Sequence, residues 1–451
     1  MSALIDITAP ASKSMSHRAC IAAALAPGTS RLTGVLDSDD IHRTRDILTA
    51  AGASFAADGD ALVVTGMQDG PMGSSLGEAD DPLDCNVGES GTTCRLLTGV
   101  LAAGKGRFHV HGEGRMHQRP IAEPARALHH FGIEFVWLGE EGYPPFVLVT
   151  RGLPGGEVSV SLEESSHYLS GLLLAAPLAQ APTAVSVGGS KVVSWPYVAL
   201  TLTVLQDFGL TCRVYSLEDG EWAERDFREM TAVEPGKVRF LVDPGAYRAR
   251  DYAVEGDWSN ASYFLAAGAV GPNPVRVTGL RQDSLQGDRA ILDILAAMGA
   301  VVSWDAGAVT VSPPASGALS GTRVDMGHCP DLVPTVATAA ALAQGPTTIT
   351  NVAHLRIKES DRLAALASEL GKAGARVETF ADGLTVTPAP LRTGETLELD
   401  SHGDHRLVMG PSILGLGGVD VRFDHPECVG KSFPGFFEQW NAVLAAAKGA
   451  A

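Results

Sequence analysis

The chain has 451 residues, of which 45% are hydrophobic and 19% charged, and its formal net charge is −18 because 52 acidic residues outnumber 34 basic ones. This length is too great for one compact core and favours two domains of ordinary size. The composition excludes a disordered or fibrous protein, and the acidic balance argues against a nucleic-acid-binding protein.

The N-terminal segment and the cysteines indicate the cellular compartment. No basic segment followed by an apolar stretch opens the chain, and no stretch stays apolar long enough to span a bilayer. The six cysteines are scattered without a CxxC pair, which is typical of small buried hydrophobic residues. We therefore expect a cytoplasmic protein with neither a secretion signal nor a membrane partner.

A short unit recurs about six times along the chain, and each copy has a polar opening, a helix of small residues, a glycine and a β-branched strand. A helix entrance with free backbone N–H groups binds anions, so converging openings would form a pocket for a strongly negative ligand. The openings are, in chain order, Ser12-Lys13-Ser14, Ser90-Gly91-Thr92, Ser165-Ser166-His167, Ser259-Asn260-Ala261, Asp331-Leu332-Val333 and Asp404-His405-Arg406.

A second helix and a hairpin complete each predicted copy. The helix that ends at Gly52, for example, leads to a strand at residues 62–66, and glycine after the last helical turn is a common helix stop. The copies therefore read β-α-β-α-β-β over about 70 to 95 residues each. We predict an α/β (α+β) fold with domains at 12–245 and at 1–11 plus 246–451, in which the first strand completes the last copy.

Cations lie within several of these segments although lysine is scarce. Ser14 and Arg18 are four residues apart on a predicted helix with Lys13 at its entrance, and this combination suits a phosphate or a carboxylate. A serine-rich helix cap with solvated cations explains the segment equally well. Lys358 and Arg362 have the same spacing, but a solvated ladder of ion pairs explains them too.

Other chemistries find little support in the sequence. Gly430-Lys431-Ser432 resembles the end of a P-loop, but His425 stands where its first glycine belongs. No GxGxxG follows a strand, and no GxSxG nucleophile elbow is present. The spacing of His109, His111 and His117 matches no ligand pattern, and strand alternation explains the first two, so we predict no metal site.

Eight motifs together resemble the 5-enolpyruvylshikimate-3-phosphate (EPSP) synthase family across essentially the whole chain. Each motif is moderately specific, and the full set in this order is highly specific. The motifs are Lys13-Ser14-x-x-x-Arg18, Ser90-Gly91-Thr92-Thr93-x-Arg95, Arg115-Met116-x-x-Arg119-Pro120, Ser165-Ser166, Ser194-x-Pro196-Tyr197, Lys358-Glu359-Ser360-Asp361-Arg362, Asp404-His405-Arg406 and Lys431-Ser432-Phe433-Pro434.

The resemblance implies a fold and an activity. The fold is two domains of three β-α-β-α-β-β repeats around pseudo-threefold symmetry, with buried helices, outer sheets and an active site in the interdomain cleft. The activity is transfer of the enolpyruvyl group of phosphoenolpyruvate to the 5-hydroxyl of shikimate 3-phosphate, with release of phosphate, on the shikimate pathway to aromatic amino acids. The family implies a monomer that needs no cofactor and no metal.

The resemblance also assigns site residues. Asp331 looks like the acceptor of the 5-hydroxyl proton, and Lys13 and Glu359 look like the groups that handle protons on the enolpyruvyl side. The residues for phosphoenolpyruvate are Lys13, Gly91, Thr92, Arg119, Arg362, Arg406 and Lys431. The residues for shikimate 3-phosphate are Lys13, Ser14, Arg18, Ser165, Ser166, His167, Ser194, Tyr197, Asp331, His354 and Lys358.

The sequence departs from the family pattern at three positions. Glu89 stands where asparagine is common, His167 where glutamine is common, and His354 where one branch of the family has asparagine. His167 can still donate one hydrogen bond, whereas Glu89 adds negative charge near an anion site. Gly91 is the small residue that leaves room for the inhibitor glyphosate, so we predict a glyphosate-sensitive enzyme.

Three alternatives are weaker. The sister transferase that acts on UDP-N-acetylglucosamine has Lys-Asn near its start and a cysteine in its arginine loop, but here Ser14 follows Lys13 and residues 111–120 contain no cysteine. An RNA-processing protein on a similar repeat conflicts with the net charge and the 6% aromatic content. A non-catalytic scaffold would have no reason to gather its few lysines beside Asp331 and Glu359, which is the arrangement that the resemblance implies.

Overall fold

In the computed structural model of the chain, the described residues are 3–77, 80–305 and 307–450. They divide into two compact units. We call Lys13–Val254 the central unit, and the residues through Ser12 together with the chain from Glu255 onward the split unit. Residues 1 and 2, which the sequence analysis placed in the second domain, lie outside the described residues. No helix in the described part of the chain combines the length and the hydropathy needed to cross a bilayer.

The elements alternate between helices and strands along the whole chain. Those that precede residue 255 are β1 (Ile5–Thr8), α1 (Lys13–Leu25), β2 (Gly28–Thr33), α2 (Asp39–Ala50), β3 (Ser54–Asp58), β4 (Ala61–Gly66), β5 (Leu83–Asn86), α3 (Gly91–Ala102), β6 (Gly106–His111), α4 (Ala122–His130), β7 (Glu134–Trp137), β8 (Phe146–Thr150), β9 (Gly156–Leu162), α5 (His167–Ala175), β10 (Thr183–Val192), α6 (Trp195–Asp207), β11 (Cys212–Glu218), β12 (Glu221–Arg225), β13 (Val238–Val242) and β14 (Asp251–Ala253). Those that follow are α7 (Trp258–Val270), β15 (Val275–Thr278), α8 (Ile291–Ala297), β16 (Val301–Asp305), β17 (Ala308–Ser312), β18 (Arg323–Asp325), α9 (Val333–Ala341), β19 (Thr347–Thr350), α10 (Arg362–Lys372), β20 (Arg376–Phe380), β21 (Gly383–Thr387), β22 (Thr396–Leu399), α11 (His405–Met409), β23 (Asp420–Phe423) and α12 (Phe436–Ala450).

The four four-stranded sheets among the described residues share one topology. In the order β5-β6-β8-β7, strand β5 pairs in parallel with β6, and antiparallel pairs join β6 to β8 and β8 to β7. The order β18-β19-β21-β20 has the same directions. Parallel neighbours need a crossover, which α3 and α9 supply, whereas the last two strands form a hairpin. Both sheets therefore have the predicted β-α-β-α-β-β order.

Two copies take their first strand from elsewhere in the chain. Strand β1 pairs in parallel with β15 of the fourth copy, and β14 pairs in parallel with β2 of the first copy. The prediction that the first strand completes the last copy is therefore wrong. Burial of Ile7 in the core of the split unit fixes the position of β1. The chain passes from one unit to the other after Ser12 and again before Glu255, and there the Ser12 N–H donates to the Glu255 carbonyl at 2.8 Å.

The sixth copy differs from the predicted repeat. It contains the parallel pair β22 and β23, and after β23 the chain continues to α12 without the hairpin that ends the predicted repeat. Phe436, Trp440 and Val443 of α12 are buried in the core of the split unit. The apolar face of α12 therefore contributes to the core of the split unit.

The helices form the interior of each unit. Every residue of α1 from Met15 to Leu25 is buried, and so are all nine residues of α9. Helix α9 is apolar or small on all sides, which is typical of core helices, whereas α1 also buries the polar residues Ser16, His17 and Arg18. Helices α3 and α5 approach closely at Gly99 and Gly171. A Cβ on Gly99 would lie 2.4 Å from the carbonyl carbon of Gly171, so the absence of a side chain permits this approach. The strands alternate buried and more exposed residues, as expected for sheets with one covered face.

The six predicted openings lie at helix starts. Helices α1, α3 and α5 begin at Lys13, Gly91 and His167, and α11 begins at His405. Helix α7 begins at Trp258, one residue before its predicted opening, and α9 begins two residues after Asp331. The first turns of these helices thus carry Lys13, Ser14, Gly91, Thr92, His167 and Arg406.

Candidate active site

Arg18 is the buried cation at the centre of the predicted cluster in the central unit. Its Nε donates to Thr201 Oγ1 at 2.8 Å, and its Nη1 donates to the Ser14 carbonyl at 2.8 Å. Its Nη2 donates to the Tyr197 carbonyl at 2.9 Å and to Ser170 Oγ at 3.4 Å. All these acceptors are neutral, and burial lowers the pKa of Arg18 to about 10. The guanidinium thus keeps its positive charge at neutral pH without neutralisation by these acceptors.

Several of the residues predicted for shikimate 3-phosphate lie at the starts of α5 and α6 in the central unit. Ser165 and Ser166 are buried just before α5, and Ser165 Oγ accepts from the His167 N–H at 3.2 Å. The His167 ring lies edge-on to Tyr197, with centroids 5.9 Å apart. Ser194 precedes α6 in a left-handed conformation with φ of 56°. Arg18 itself contacts the carbonyls of Ser14 and Tyr197, in the first turns of α1 and α6.

Lys13 is held at the start of α1 by a carboxylate that the sequence analysis missed. Its Nζ lies 3.2 Å from Asp40 Oδ2, and both side chains are largely buried. The Asp40 carbonyl also accepts from Thr93 Oγ1 at 3.2 Å. Asp40 thus ties Lys13 to the opening of α3.

A chain of buried hydroxyl groups fixes that opening. Ser90 Oγ accepts from the Thr93 N–H at 3.2 Å and from Thr93 Oγ1 at 2.7 Å. Thr93 Oγ1 lies 2.8 Å from Thr44 Oγ1, which lies 2.8 Å from His17 Nδ1. Burial lowers the pKa of His17 to about 3, so this imidazole is neutral at physiological pH. The opening is therefore positioned by hydrogen bonds rather than by a further charge.

Arg119 lies directly against Gly91. A Cβ on Gly91 would lie 2.2 Å from Arg119 Nη2 and 2.4 Å from its Cζ, so any side chain there would displace the guanidinium. Arg119 Nη1 also donates to the Glu89 carbonyl at 3.2 Å. The Glu89 carboxylate itself lies over Gly114, where a Cβ would be 2.0 Å from Oε1. The unusual acidic residue therefore packs on the arginine loop.

Arg362 is the centre of an ion-pair network in the split unit. Its Nε lies 2.7 Å from Asp404 Oδ2, its Nη1 lies 3.1 Å from Asp331 Oδ1, and its Nη2 lies 3.0 Å from Glu359 Oε2. Burial by itself lowers the pKa of Arg362, but the three carboxylates outweigh it and raise the pKa above its usual value. Arg362 stays charged under all ordinary conditions.

Two further cations share those carboxylates. Arg406 Nη2 lies 2.9 Å from Asp331 Oδ2, and Lys431 Nζ lies 3.8 Å from Glu359 Oε1. Arg406 Nη1 donates to Ser259 Oγ at 2.5 Å. Asp331 therefore bridges two arginines, and Glu359 bridges an arginine and a lysine. We call Asp331, Glu359, Arg362, Asp404, Arg406 and Lys431 the ion-pair network.

Local capping explains the position of the network. Asp404 caps α11 by accepting from the Arg406 N–H at 3.0 Å, and Asp361 caps α10 by accepting from the Ala364 N–H at 3.1 Å. His354 is buried in the 3₁₀ helix Ala353–Ile357, and the half-buried Lys358 follows it directly. His354 and Lys358, both predicted for shikimate 3-phosphate, therefore lie just before Glu359 in the chain.

Asp288 is a second residue that the sequence did not reveal. It is fully buried, and burial, followed by the charge of Asp331, raises its pKa to about 7. A buried carboxyl with this pKa carries a proton for part of the physiological range. The short stretch around it, Gln286-Gly287-Asp288-Arg289, reads as an ordinary surface turn in sequence, which explains why it was missed.

The structure thus arranges the predicted residues in two clusters, one in each unit. The central unit carries Lys13, Ser14, Arg18, Gly91, Thr92, Arg119, Ser165, Ser166, His167, Ser194 and Tyr197. The split unit carries Asp331, His354, Lys358, Glu359, Arg362, Arg406 and Lys431. Cations and hydroxyl groups at helix starts in one unit, and carboxylates that share cations in the other, are typical of enzymes that act on anionic small molecules.

Comparison with known proteins defines the family. A family model described as EPSP synthase (3-phosphoshikimate 1-carboxyvinyltransferase) matches residues 5–440. A 3-phosphoshikimate 1-carboxyvinyltransferase of Laribacter hongkongensis is 40% identical over 446 residues, which are 97% of this chain and 96% of that protein. One of Marinomonas sp. is 38% identical over 441 residues, with 97% and 96% covered.

A solved structure agrees with this match. The EPSP synthase of Acinetobacter baumannii superimposes with a TM-score of 0.74 at 26% identity, covering 98% of this chain and 96% of that one. The chain belongs to the EPSP synthase family. The predicted family, the transferase class and the two-domain α/β fold are therefore confirmed.

Proposed function

We propose that this chain transfers the enolpyruvyl group of phosphoenolpyruvate to the 5-hydroxyl of shikimate 3-phosphate and releases phosphate. The observation that carries the proposal is the bridging of cations by Asp331 and Glu359 in a member of this family. A carboxylate that shares its charge with two cations can exchange a proton while its neighbours hold an anionic substrate.

The reaction proceeds by addition and elimination. In the addition, C3 of phosphoenolpyruvate gains a proton, the 5-oxygen bonds to C2, and the 5-hydroxyl proton passes to Asp331. In the elimination, C3 loses a proton, the bond from C2 to the phosphate oxygen breaks, and phosphate leaves. Glu359 and Lys13 handle the C3 proton in this proposal.

The cations supply the electrostatic part of the proposal. Two phosphates and two carboxylates carry roughly five to six negative charges, and two unit charges about 4 Å apart repel by about 4 kcal/mol at an effective dielectric constant near 20. We assign Arg18, Ser165, Ser166 and the residues around them to shikimate 3-phosphate, and Arg119, Arg362, Arg406 and Lys431 to phosphoenolpyruvate.

Release of phosphate from phosphoenolpyruvate tests this proposal. We expect release that depends on shikimate 3-phosphate and that stops when its supply is exhausted. Release that depends on UDP-N-acetylglucosamine instead would support the sister transferase, and release with no acceptor would overturn the proposal. The exposed Asp420→Asn variant, whose carboxylate pairs only with Arg422 among its charged neighbours in the described structure, is the matched control for variants of the network. Action as a cytoplasmic monomer stays a prediction.

A further inference from the structure

A group of potential metal ligands lies outside both clusters. Among the described residues, Asp84, His109 and His111 form the one group of three whose ligand atoms all lie within 4.8 Å of one another. The sequence suggested no such group, because strand alternation explained the two histidines and Asp84 is 25 residues away from the nearer one. The structure brings Asp84 from β5 to the neighbouring strand β6.

Strand pairing sets the geometry of the group. Asp84 and His109 are partners in the parallel pair β5 and β6, and His111 is two residues further along the same face. His111 Nε2 lies 2.7 Å from Asp84 Oδ1, and His109 Nδ1 lies 3.9 Å from the same oxygen. The two rings stack with centroids 4.6 Å apart and an interplanar angle of 22°. One oxygen and two ring nitrogens therefore converge at the surface of the sheet.

The chemistry of these ligands favours a zinc ion. Tetrahedral Zn²⁺ with bonds of about 2.0 to 2.2 Å places its ligand atoms roughly 3.3 to 3.6 Å apart. His111 Nε2 donates its proton to the carboxylate at 2.7 Å, so a zinc ion that replaces this proton would lengthen the distance between the two atoms by about 0.6 to 0.9 Å. His109 needs a similarly small movement in the opposite direction. Two imidazoles and one carboxylate leave a fourth position for water.

The three side chains are accessible to an ion from solvent, since Asp84 is 72% exposed and the two imidazoles are 31% and 26% exposed.

We propose that Asp84, His109 and His111 form a Zn²⁺ site on the outer face of the β5-β6-β8-β7 sheet. The ion joins the edge strand β5 to β6 at the ends from which the chain continues to Gly91 and to Arg119. The Val87 N–H donates to the His111 carbonyl at 2.8 Å, so the two strand ends are already coupled at this point. Zinc would add a second, side-chain link to this backbone link.

Zinc titration of the untagged full-length chain against a chromophoric chelator tests the proposal. We expect one zinc ion per chain and a rise in the unfolding temperature on addition of Zn²⁺. The His109→Gln/His111→Gln variant should lose the site, with binding weakened more than roughly tenfold and no rise in the unfolding temperature. The exposed pair His129→Gln/His130→Gln on α4 is the matched control and should behave like the unmodified chain.

Two further measurements separate this site from unrelated zinc binding. Co²⁺ bound at the site should show ligand-field bands without the thiolate charge-transfer band that a cysteine ligand would give. Asp84→Asn, which removes the ionised ligand without shortening the side chain, should weaken binding as well. Equal zinc affinity in the unmodified chain and in His109→Gln/His111→Gln, or no saturable binding by the unmodified chain, would overturn the proposal.

Discussion

The two clusters of candidate residues treat their buried cations differently. In the central unit Arg18 is surrounded by neutral oxygens, whereas in the split unit Arg362 contacts three carboxylates. The cost of burying a guanidinium is therefore met by hydrogen bonds in one case and by opposite charge in the other. The first arrangement leaves a net positive charge for a ligand, and the second keeps acids and cations in contact before any ligand binds.

This difference indicates different tasks for the two clusters. A buried cation with neutral acceptors attracts an anion at little rearrangement cost, which suits a substrate-binding group. A network of shared carboxylates can redistribute protons and charge when one partner changes its protonation state, which suits the chemical step. We therefore expect substitutions of Arg18 to weaken binding and substitutions within the network to affect turnover and stability.

Removal of the proposed proton-handling groups should have the largest effect. We expect Lys13→Met and Asp331→Asn to lower kcat by about 10²- to 10⁴-fold, the usual contribution of general acid and base groups. Asp331→Asn should leave the KM for shikimate 3-phosphate unchanged or lower, because it removes a negative charge. Steady-state kinetics with both substrates give these values. Turnover near that of the Asp420→Asn control would remove the role that we give to either residue.

The comparison of the two arginines predicts losses of stability of different size. Arg362→Met leaves three buried or partly buried carboxylates without their shared cation and should lower the free energy of unfolding by about 3 to 5 kcal/mol. Arg18→Met loses hydrogen bonds to neutral groups and should cost only about 1 to 3 kcal/mol while it weakens binding of shikimate 3-phosphate. Urea unfolding and calorimetric titration measure the two effects.

An exposed arginine provides the control for this pair. Arg376 pairs with Glu378 at the surface and is 75% exposed, so Arg376→Met should change the free energy of unfolding by less than about 0.5 kcal/mol. Equal destabilisation by Arg18→Met and Arg362→Met would contradict the distinction between the two clusters.

Gly91→Ala should have a smaller and more selective effect. The new Cβ would lie 2.2 Å from Arg119 Nη2, so the guanidinium must move. We expect the KM for phosphoenolpyruvate to rise about tenfold or more, because a displacement near 1 Å can cost up to 10²-fold, and the KM for shikimate 3-phosphate to change less. Gly99→Ala is not a suitable control because that glycine contacts Gly171, whereas Gly371→Ala on α10 has open space around it. Equal changes in both KM values would argue against a local effect on Arg119.

The smallest effect is a pair of opposite pH dependences, one from each unit. The pKa of Asp288 is raised to about 7, so the folded state binds more protons than the unfolded state between about pH 4 and 7, and this group lowers stability as pH rises through that window. The pKa of His17 is lowered to about 3, so the unfolded state binds more protons below about pH 6.5, and this group lowers stability as pH falls.

Single variants separate these two contributions. The stability of Asp288→Asn relative to the unmodified chain should increase as pH rises from about 4 to 7, and that of His17→Gln should increase as pH falls below about 6.5, each with a slope of at most about 1.4 kcal/mol per pH unit. Urea unfolding across this range measures both slopes. Parallel pH profiles for the two variants and the unmodified chain would show that neither group titrates as described.

The sequence predicted the parts of the fold that have local signals. Polar openings before runs of small residues predicted the helix starts at Lys13, Gly91 and His405, because capping depends on neighbouring residues. The partner of β1 could not be predicted in this way, because strand pairing between distant segments leaves no local signal. The sixth copy was predicted as a full repeat because its opening and first strands resemble the others.

For the site too, the sequence predicted the residues with a local signal and missed those without one. The cations were found because they are scarce in an acidic chain, and the motif order identified the family. Asp40, Asp288 and Thr201 were missed because a polar residue in a helix or turn reads as solvent-exposed until its burial is known. Thr201 offered one signal, since it interrupts the apolar run of α6 on a face that the rest of the helix buries.

The most direct test of the account is phosphorus NMR of the chain with equal amounts of phosphoenolpyruvate and shikimate 3-phosphate. We predict that both substrate resonances decline together while inorganic phosphate and one new phosphomonoester appear in equal amounts, and that Lys13→Met leaves the spectrum unchanged over the same time. Phosphate that accumulates while the shikimate 3-phosphate resonance stays constant, or two substrate resonances that persist with the unmodified chain, would contradict the account.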